Sequence, residues 1–182
     1  MELPEQKEGI RLSVRNLARC ALFVAAMTVC AWLAFPVPPV PFTLQSFALF
    51  LALLLLGGKY GSLVCAVYLL LGIAGAPVFS GFRGGIGAIL GPTGGFLTGF
   101  LVCSLFYWLI TCLFGNRAKL PALILGWVLC YGIGIAWLLL YYPGGSLSVW
   151  TALWQYVVPF ILPDGVKLAL ALLLSKKLRA IV

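Results

Sequence analysis

Between Leu17 and Leu174 the chain is a succession of apolar runs that admits only seven charged side chains: Arg19, Lys59, Arg83, Arg117, Lys119, Asp164 and Lys167. Crossing a hydrocarbon core takes about 20 helical residues, and runs of this length have no role in a soluble core of ordinary size. Charged residues make up 9% of the chain and hydrophobic ones 63%, whereas a soluble domain carries about 25% charged. The runs are too long and too little alternating for barrel strands, so an all-α integral membrane protein is expected. An aggregation-prone soluble helical protein is the alternative.

The punctuation between runs sets the expected topology. Residues 1–16 read as a charged cytoplasmic lead, with Arg11, Arg15 and Arg19 at intervals of four, too polar for a signal peptide. Residues 17–182 then read as a single six-helix membrane domain. The first span runs from about Leu17 to Phe35 and carries a small-residue face, Ala18, Ala21, Ala25 and Ala26, suited to close helix approach, either internally or with a partner. Pro36, Pro38, Pro39 and Pro41 stop it. Short second and third spans, about Leu44–Leu56 and Ser62–Ala74, flank a turn at Gly57-Gly58-Lys59-Tyr60-Gly61. A fourth span from about Pro92 to Leu113 and a fifth from Leu120 to about Leu140 flank the basic turn at Arg117 and Lys119. Tyr141-Tyr142-Pro143-Gly144-Gly145 is an interfacial turn, and Ser148–Phe160 is a short helix lining or closing a site. Pro159 and Pro163 break it and start the last span, which ends at Lys176, Lys177 and Arg179. Six crossings with both termini cytoplasmic satisfy every basic turn.

Two features do not fit a purely structural bundle. Nine glycines lie between Gly72 and Gly95; irregular backbone of this kind is tolerated at membrane depth only where it is buried in protein or lines a cavity. Asp164, the only acid after Glu8, sits in an apolar stretch with Lys167 three residues on. A bare carboxylate there costs about 2.5–3.5 kcal/mol on insertion scales, so it must be paired or hydrogen-bonded. If a helix begins at Pro163, the two side chains share a face and Asp164 lies in its first turn. The candidate polar set is Asp164, Lys167, Gln45 and Arg83, with Thr43, Tyr68, Thr93, Trp154 and Tyr156 as lining residues. Discontinuous helices around such a set suit a transporter site. Asp164 would accept N–H bonds and Lys167 would donate, a match for a small amide-like head. Arg83 would hold an acid tail or else serve as an outer-loop cation. An internal Asp164–Lys167 pair at a packed helix junction, and a helix-capping Gln45, are the structural alternatives.

Other classes fare worse. The chain has no histidine and one deep acid, which leaves no hydrolytic dyad and too few ligands for a metal. No phosphate-binding loop is present, so an ATP-driven process needs its ATPase on another protein. The basic residues, formal net charge +8, sit at chain ends and turns rather than in a nucleic-acid groove. The six cysteines lack metal or redox spacing and read as small buried hydrophobes. No cofactor is expected.

Four ordered motifs carry a family resemblance. They are Pro38-x-Val40-Pro41-Phe42-Thr43-Leu44-Gln45, Tyr68-Leu69-Leu70-Leu71-Gly72-x-x-Gly75-x-Pro77-Val78-Phe79, Gly91-Pro92-Thr93-Gly94-Gly95-Phe96-Leu97-x-Gly99-Phe100, and Pro159-Phe160-x-x-x-Asp164-x-x-Lys167. Together they resemble the BioY family, the biotin-binding substrate components of energy-coupling-factor transporters, over nearly the whole chain after the lead. The resemblance implies six transmembrane helices with Pro/Gly-rich loops closing an outward-facing pocket, in a bacterial or archaeal cytoplasmic membrane. It implies biotin as substrate, with Asp164 and Lys167 on the family's acid and lysine. Its implied partners are membrane lipids, a transmembrane coupling protein docked on the Ala18/Ala21/Ala25 face, and two cytoplasmic ATPases. Ser80-Gly81-Phe82-Arg83 departs from the family's usual loop pattern. A carrier for another small vitamin-like carboxylate, or an ion-coupled carrier working alone, is the alternative.

Overall fold

The structure, a computed structural model, describes residues 14–35, 41–142 and 147–178. The lead up to residue 13 with Arg11, the prolines at 36, 38 and 39, the Pro143–Gly145 turn and Arg179 lie outside the described residues. Four apolar helical stretches among the described residues are long enough to cross a membrane: Val14–Trp32, Gln45–Ile73, Gly94–Tyr141 and Val158–Leu178. The second and third fold back on themselves.

Helix α1 (Val14–Trp32) leads into a two-residue strand pair, β1 (Ala34–Phe35) and β2 (Phe42–Thr43), antiparallel with Ala34 opposite Thr43. Helix α2 (Gln45–Ile73) is broken at Gly57, whose φ of 80° and ψ of 173° leave helical space. A Cβ added at Gly61 would stand 3.0 Å from the Leu53 Cα, a proximity that a straight helix cannot give to residues eight apart. The two arms therefore form a hairpin about Gly57, a conformation that a residue without Cβ reaches at little cost. A 3₁₀ turn (Ser80–Phe82) and the short α3 (Ile86–Leu90) precede α4 (Gly94–Phe114). A second 3₁₀ turn (Gly115–Ala118) reverses the chain into α5 (Lys119–Tyr141). Helices α6 (Val149–Tyr156) and α7 (Val158–Leu178) complete the described fold.

The α2 hairpin is the centre, packing on α1, α4 and α7, while α5 packs mainly on α4 and α6 bridges α5 to α7. Its inward side chains, among them Leu49, Leu53, Val64 and Cys65, are fully buried. The cysteines are free and four of the six are buried, in keeping with packing roles. Asn16 Nδ2 donates to the Tyr60 hydroxyl at 3.1 Å, which joins the start of α1 to the Gly57 turn and gathers Arg15, Arg19 and Lys59 at one end of the bundle.

At the other end, side-chain donors pin the irregular glycine-rich segment. Tyr68 Oη donates to the Val78 carbonyl at 2.8 Å, Trp32 Nε1 to Pro77 O at 2.7 Å, and Trp137 Nε1 to Gly91 O at 2.9 Å. Trp32 also lies against Phe82, ring centroids 4.9 Å apart. These bonds give the Val78 and Pro77 carbonyls of the irregular backbone a partner, and give the Gly91 carbonyl a second one beside the Gly94 N–H.

One boundary differs from expectation. The last helix begins at Val158, so Pro163 is internal and Asp164 lies beyond the first turn. Proline removes one helical N–H and crowds the carbonyl four residues back, which here is that of Pro159, still in the first turn, where the helix tolerates the loss. Asp164 and Lys167 share a face as the i, i+3 spacing requires, but no helix N-terminus stabilises the carboxylate.

The α4–α5 contact depends on glycine at Gly95, where a Cβ would overlap the Trp137 Cβ, whereas a Cβ at Gly132 on the same pair of helices meets nothing within 4 Å. Gly95→Ala is expected to destabilise the detergent-solubilised protein by about 1–3 kcal/mol through overpacking. Gly132→Ala should be neutral or stabilise by up to ~1 kcal/mol through helix propensity. Thermal unfolding of the two variants side by side distinguishes a close-packed interface from a loose one.

Candidate functional site

Asp164 is 6% exposed and each of its oxygens accepts two hydrogen bonds. Oδ1 accepts from Lys167 Nζ at 2.8 Å and Ser46 Oγ at 3.0 Å. Oδ2 accepts from Tyr131 Oη at 2.6 Å and Trp127 Nε1 at 3.2 Å. Three elements meet on this one group: α2 through Ser46, α5 through Trp127 and Tyr131, and α7 through the acid and its lysine. Trp127 and Tyr131 stand four apart and so project from one face of α5. An ionised carboxylate offers about four acceptor positions, and all four are filled.

Lys167 is equally buried, at 5% exposed. Besides Asp164 it donates to Ser46 Oγ at 3.1 Å, and its Nζ stands 3.9 Å from the centre of the Phe42 ring. Of its three N–H bonds, two have oxygen partners and the third faces an aromatic surface. That third proton is the available donor of the cluster.

Two cavities of about 90 Å³ each open beside this network. The first is lined by Ser46, Trp127, Cys130, Tyr131, Tyr156, Phe160, Asp164 and Lys167, together with Pro41, Thr43, Phe96 and Phe100. The second shares Pro41, Thr43, Phe96 and Phe100 and continues to Gln45, Phe79, Ser80, Arg83, Ala88, Thr93 and Leu97. With four lining residues in common, they form two ends of one trough. An acid–amine pair stands at one end and a guanidinium at the other, with aromatic and aliphatic walls between.

At the Arg83 end, Nε donates to the Ser80 carbonyl at 3.1 Å and the residue is otherwise exposed. Phe82 beside it holds a φ of 56°, unusual outside glycine, and the Phe79–Arg83 bridge closes this tight bend. Gln45 is 3% exposed, lines the same cavity, and its Nε2 has no hydrogen-bond partner. A buried unpaired amide nitrogen costs about 1–3 kcal/mol, so Gln45 carries an unused donor at the cavity wall.

The residues anticipated from sequence divide accordingly. Asp164, Lys167, Thr43, Gln45, Arg83, Thr93 and Tyr156 all border the trough. Tyr68 is fully buried with its hydroxyl committed to Val78, and it borders neither cavity. Trp154 is 53% exposed on α6, packed edge-on against Trp150, and borders neither cavity. Ala18, Ala21 and Ala25 are exposed on α1. Sequence reasoning missed Ser46, Trp127, Tyr131 and the Phe42 ring. The Trp127–Tyr131 pair at i, i+4 offered a signal, since two hydrogen-bonding aromatics on one face of an apolar span invite a search for their acceptor.

The family model of the BioY family matches residues 5–182. The biotin transporter BioY of Thermotoga maritima is 37% identical over 167 residues, covering 91% of this chain and 96% of that protein. A probable biotin transporter BioY of Pyrococcus horikoshii is 37% identical over 168 residues, covering 92% of this chain and 98% of its own length. The crystal structure of an S-component for biotin from an ECF-type ABC transporter superposes with a TM-score of 0.80 at 27% identity, over 94% of each chain. Matched along almost its entire length by the family model, by curated relatives and by this structure, the chain is a member of the BioY family.

Proposed function

We propose that this protein captures biotin on the outer side of the cytoplasmic membrane and carries it inward as the substrate-binding subunit of an ATP-driven energy-coupling-factor transporter. The observation that carries this reading is the trough, with a caged Asp164–Lys167 pair at one end and Arg83 with the unpaired Gln45 amide at the other. Biotin has matching ends: a ureido ring with two N–H donors and a carbonyl, and a valerate carboxylate. Because all four acceptor positions on Asp164 are filled, a ureido N–H docks by displacing Ser46 or Trp127 from it. The spare Lys167 proton turns from the Phe42 ring to the ureido carbonyl. Exchanging one hydrogen bond for another keeps the carboxylate fully hydrogen-bonded, and a displaced Ser46 hydroxyl still accepts from Lys167, so the charge pair is never left bare. Phe96, Phe100, Trp127, Tyr156 and Phe160 give the apolar middle of the ligand its walls. The terminal guanidinium nitrogens of Arg83 and the Gln45 amide receive the carboxylate.

In this reading the six long helical arms are six crossings of one membrane domain, both termini are cytoplasmic, and the trough faces outward. The basic end of the bundle, with Arg15, Arg19 and Lys59 gathered by the Asn16–Tyr60 bond, supports that orientation. The protein is a transport subunit rather than an enzyme, and ATP is hydrolysed by two cytoplasmic ATPases joined through a transmembrane coupling protein. The exposed Ala18, Ala21 and Ala25 face of α1 supports docking on that protein, since small residues permit close helix approach in lipid.

Asp164→Asn is expected to weaken biotin binding by about 1–3 kcal/mol through loss of a charge-assisted acceptor; unchanged affinity in a folded variant removes the carboxylate from the site. Arg83→Ala should reduce affinity for biotin more than for biotin amide, and equal losses for the two would eliminate the tail contact. Ala21→Leu should leave biotin binding by the isolated subunit intact while reducing co-purification with the coupling protein. Undiminished co-purification would mean that the alanine face points elsewhere.

A further inference from the structure

Behind Trp127 and Tyr131, α5 and α7 stand apart and leave a cleft of about 630 Å³. Each helix packs on another neighbour, α5 on α4 and α7 on α2, and α6 bridges the gap. Ile124, Val128 and Gly132 of α5 face Ile161 and Gly165 of α7 across it, and Leu153 of α6 borders it at one end. Asp164 is the one charged group in its lining. A Cβ at Gly132 or Gly165 would meet nothing within 4 Å, so both glycines widen the space rather than serve a close contact.

We propose that this cleft binds a lipid acyl chain. Water is a poor occupant, because an ordered water needs 2–4 polar partners and Asp164, the one charged group in the lining, already has its acceptor positions filled. The rim is continuous with the membrane-facing surface of two helices of membrane length: Ile124, Val128 and Ile161 are 47%, 58% and 56% exposed. Hydrocarbon is therefore what the cleft meets in the bilayer. Along α5 the lining runs from residue 124 to 135, about 17 Å at 1.5 Å per residue. That is close to one leaflet of a hydrocarbon core about 30 Å thick, and too short for a spanning helix. A second copy of this chain fits no better, since a two-fold contact would set recess against recess and leave both unfilled.

The occupant would bear on the site from behind. Trp127 and Tyr131 form the wall shared by the cleft and the Lys167 cavity, and both donate to Asp164 Oδ2. An acyl chain packed there holds that wall in place and keeps water from the carboxylate. The lipid site is independent of which substrate the trough takes.

Native mass spectrometry of the full chain, released from a mild detergent, tests this directly. One phospholipid per protomer should survive activation that strips peripheral lipid, and Gly132→Leu and Gly165→Leu should each lower the lipid-bound fraction at least tenfold. Absence of retained lipid from the parent, equal retention by folded variants, or a dimer dissociated by either leucine would overturn the proposal. A second measurement does not depend on how the leucine variants fold. In vesicles of phosphatidylcholine with dibrominated acyl chains, the fluorescence assigned to Trp127, taken as parent minus Trp127→Phe, should be strongly quenched; unquenched emission would overturn the acyl-chain assignment.

Discussion

A single buried carboxylate organises the junction of α2, α5 and α7 in this protein. Asp164 cannot sit in an apolar bundle without partners, and the four hydrogen bonds it accepts come from Ser46, Trp127, Tyr131 and Lys167. Those residues belong to α2, α5 and α7; α2 packs on α7, whereas α5 packs mainly on α4 and is tied to the other two at this carboxylate. The cost of leaving such a charge bare in lipid, several kcal/mol or more, makes the approach of these three helices at this level close to obligatory. The same network sets a limit on chemistry. A fully occupied carboxylate can receive a new donor only by exchanging an old one, which favours a neutral N–H-bearing ligand over a cation that would add an uncompensated charge.

The remainder of the fold serves to hold irregular backbone at that depth. The α2 hairpin turns on one glycine conformation, and the glycine-rich segment from residue 74 to 93 is fastened by Tyr68, Trp32 and Trp137 through their ring donors. These aromatics give three carbonyls of the irregular backbone beside the trough a hydrogen-bond partner. Arg83 projects from a bend that includes the left-handed Phe82, and the positioning of that guanidinium depends on the fastened segment.

Much of this was legible in the sequence because lipid punishes exceptions so heavily. Apolar runs, basic turns and prolines marked the helices to within a few residues, and the lone acid with a lysine three positions on marked the buried polar cluster of the candidate site. What was not legible follows from side chains whose roles depend on distant partners. Tyr68 and Trp154 look like ligand-lining aromatics in one dimension, yet one pins a loop carbonyl and the other sits on the outer face of a short helix. Tyr131 and Trp127 look like ordinary span aromatics until Asp164, 33 and 37 residues away, is brought against them. The start of α7 was misjudged because Pro163 reads as a helix opener, whereas a proline just past the first turn loses too little to stop the helix.

The central claim is that the trough between Asp164 and Arg83 is a biotin site. Equilibrium binding of labelled biotin to the detergent-purified protein, with unlabelled biotin, biotin amide, thiamine and riboflavin as competitors, tests it most directly. The account predicts saturable binding that biotin displaces, biotin amide displaces more weakly, and thiamine and riboflavin leave untouched. Absence of binding by demonstrably folded protein, or displacement by thiamine or riboflavin as effective as by biotin itself, would contradict it.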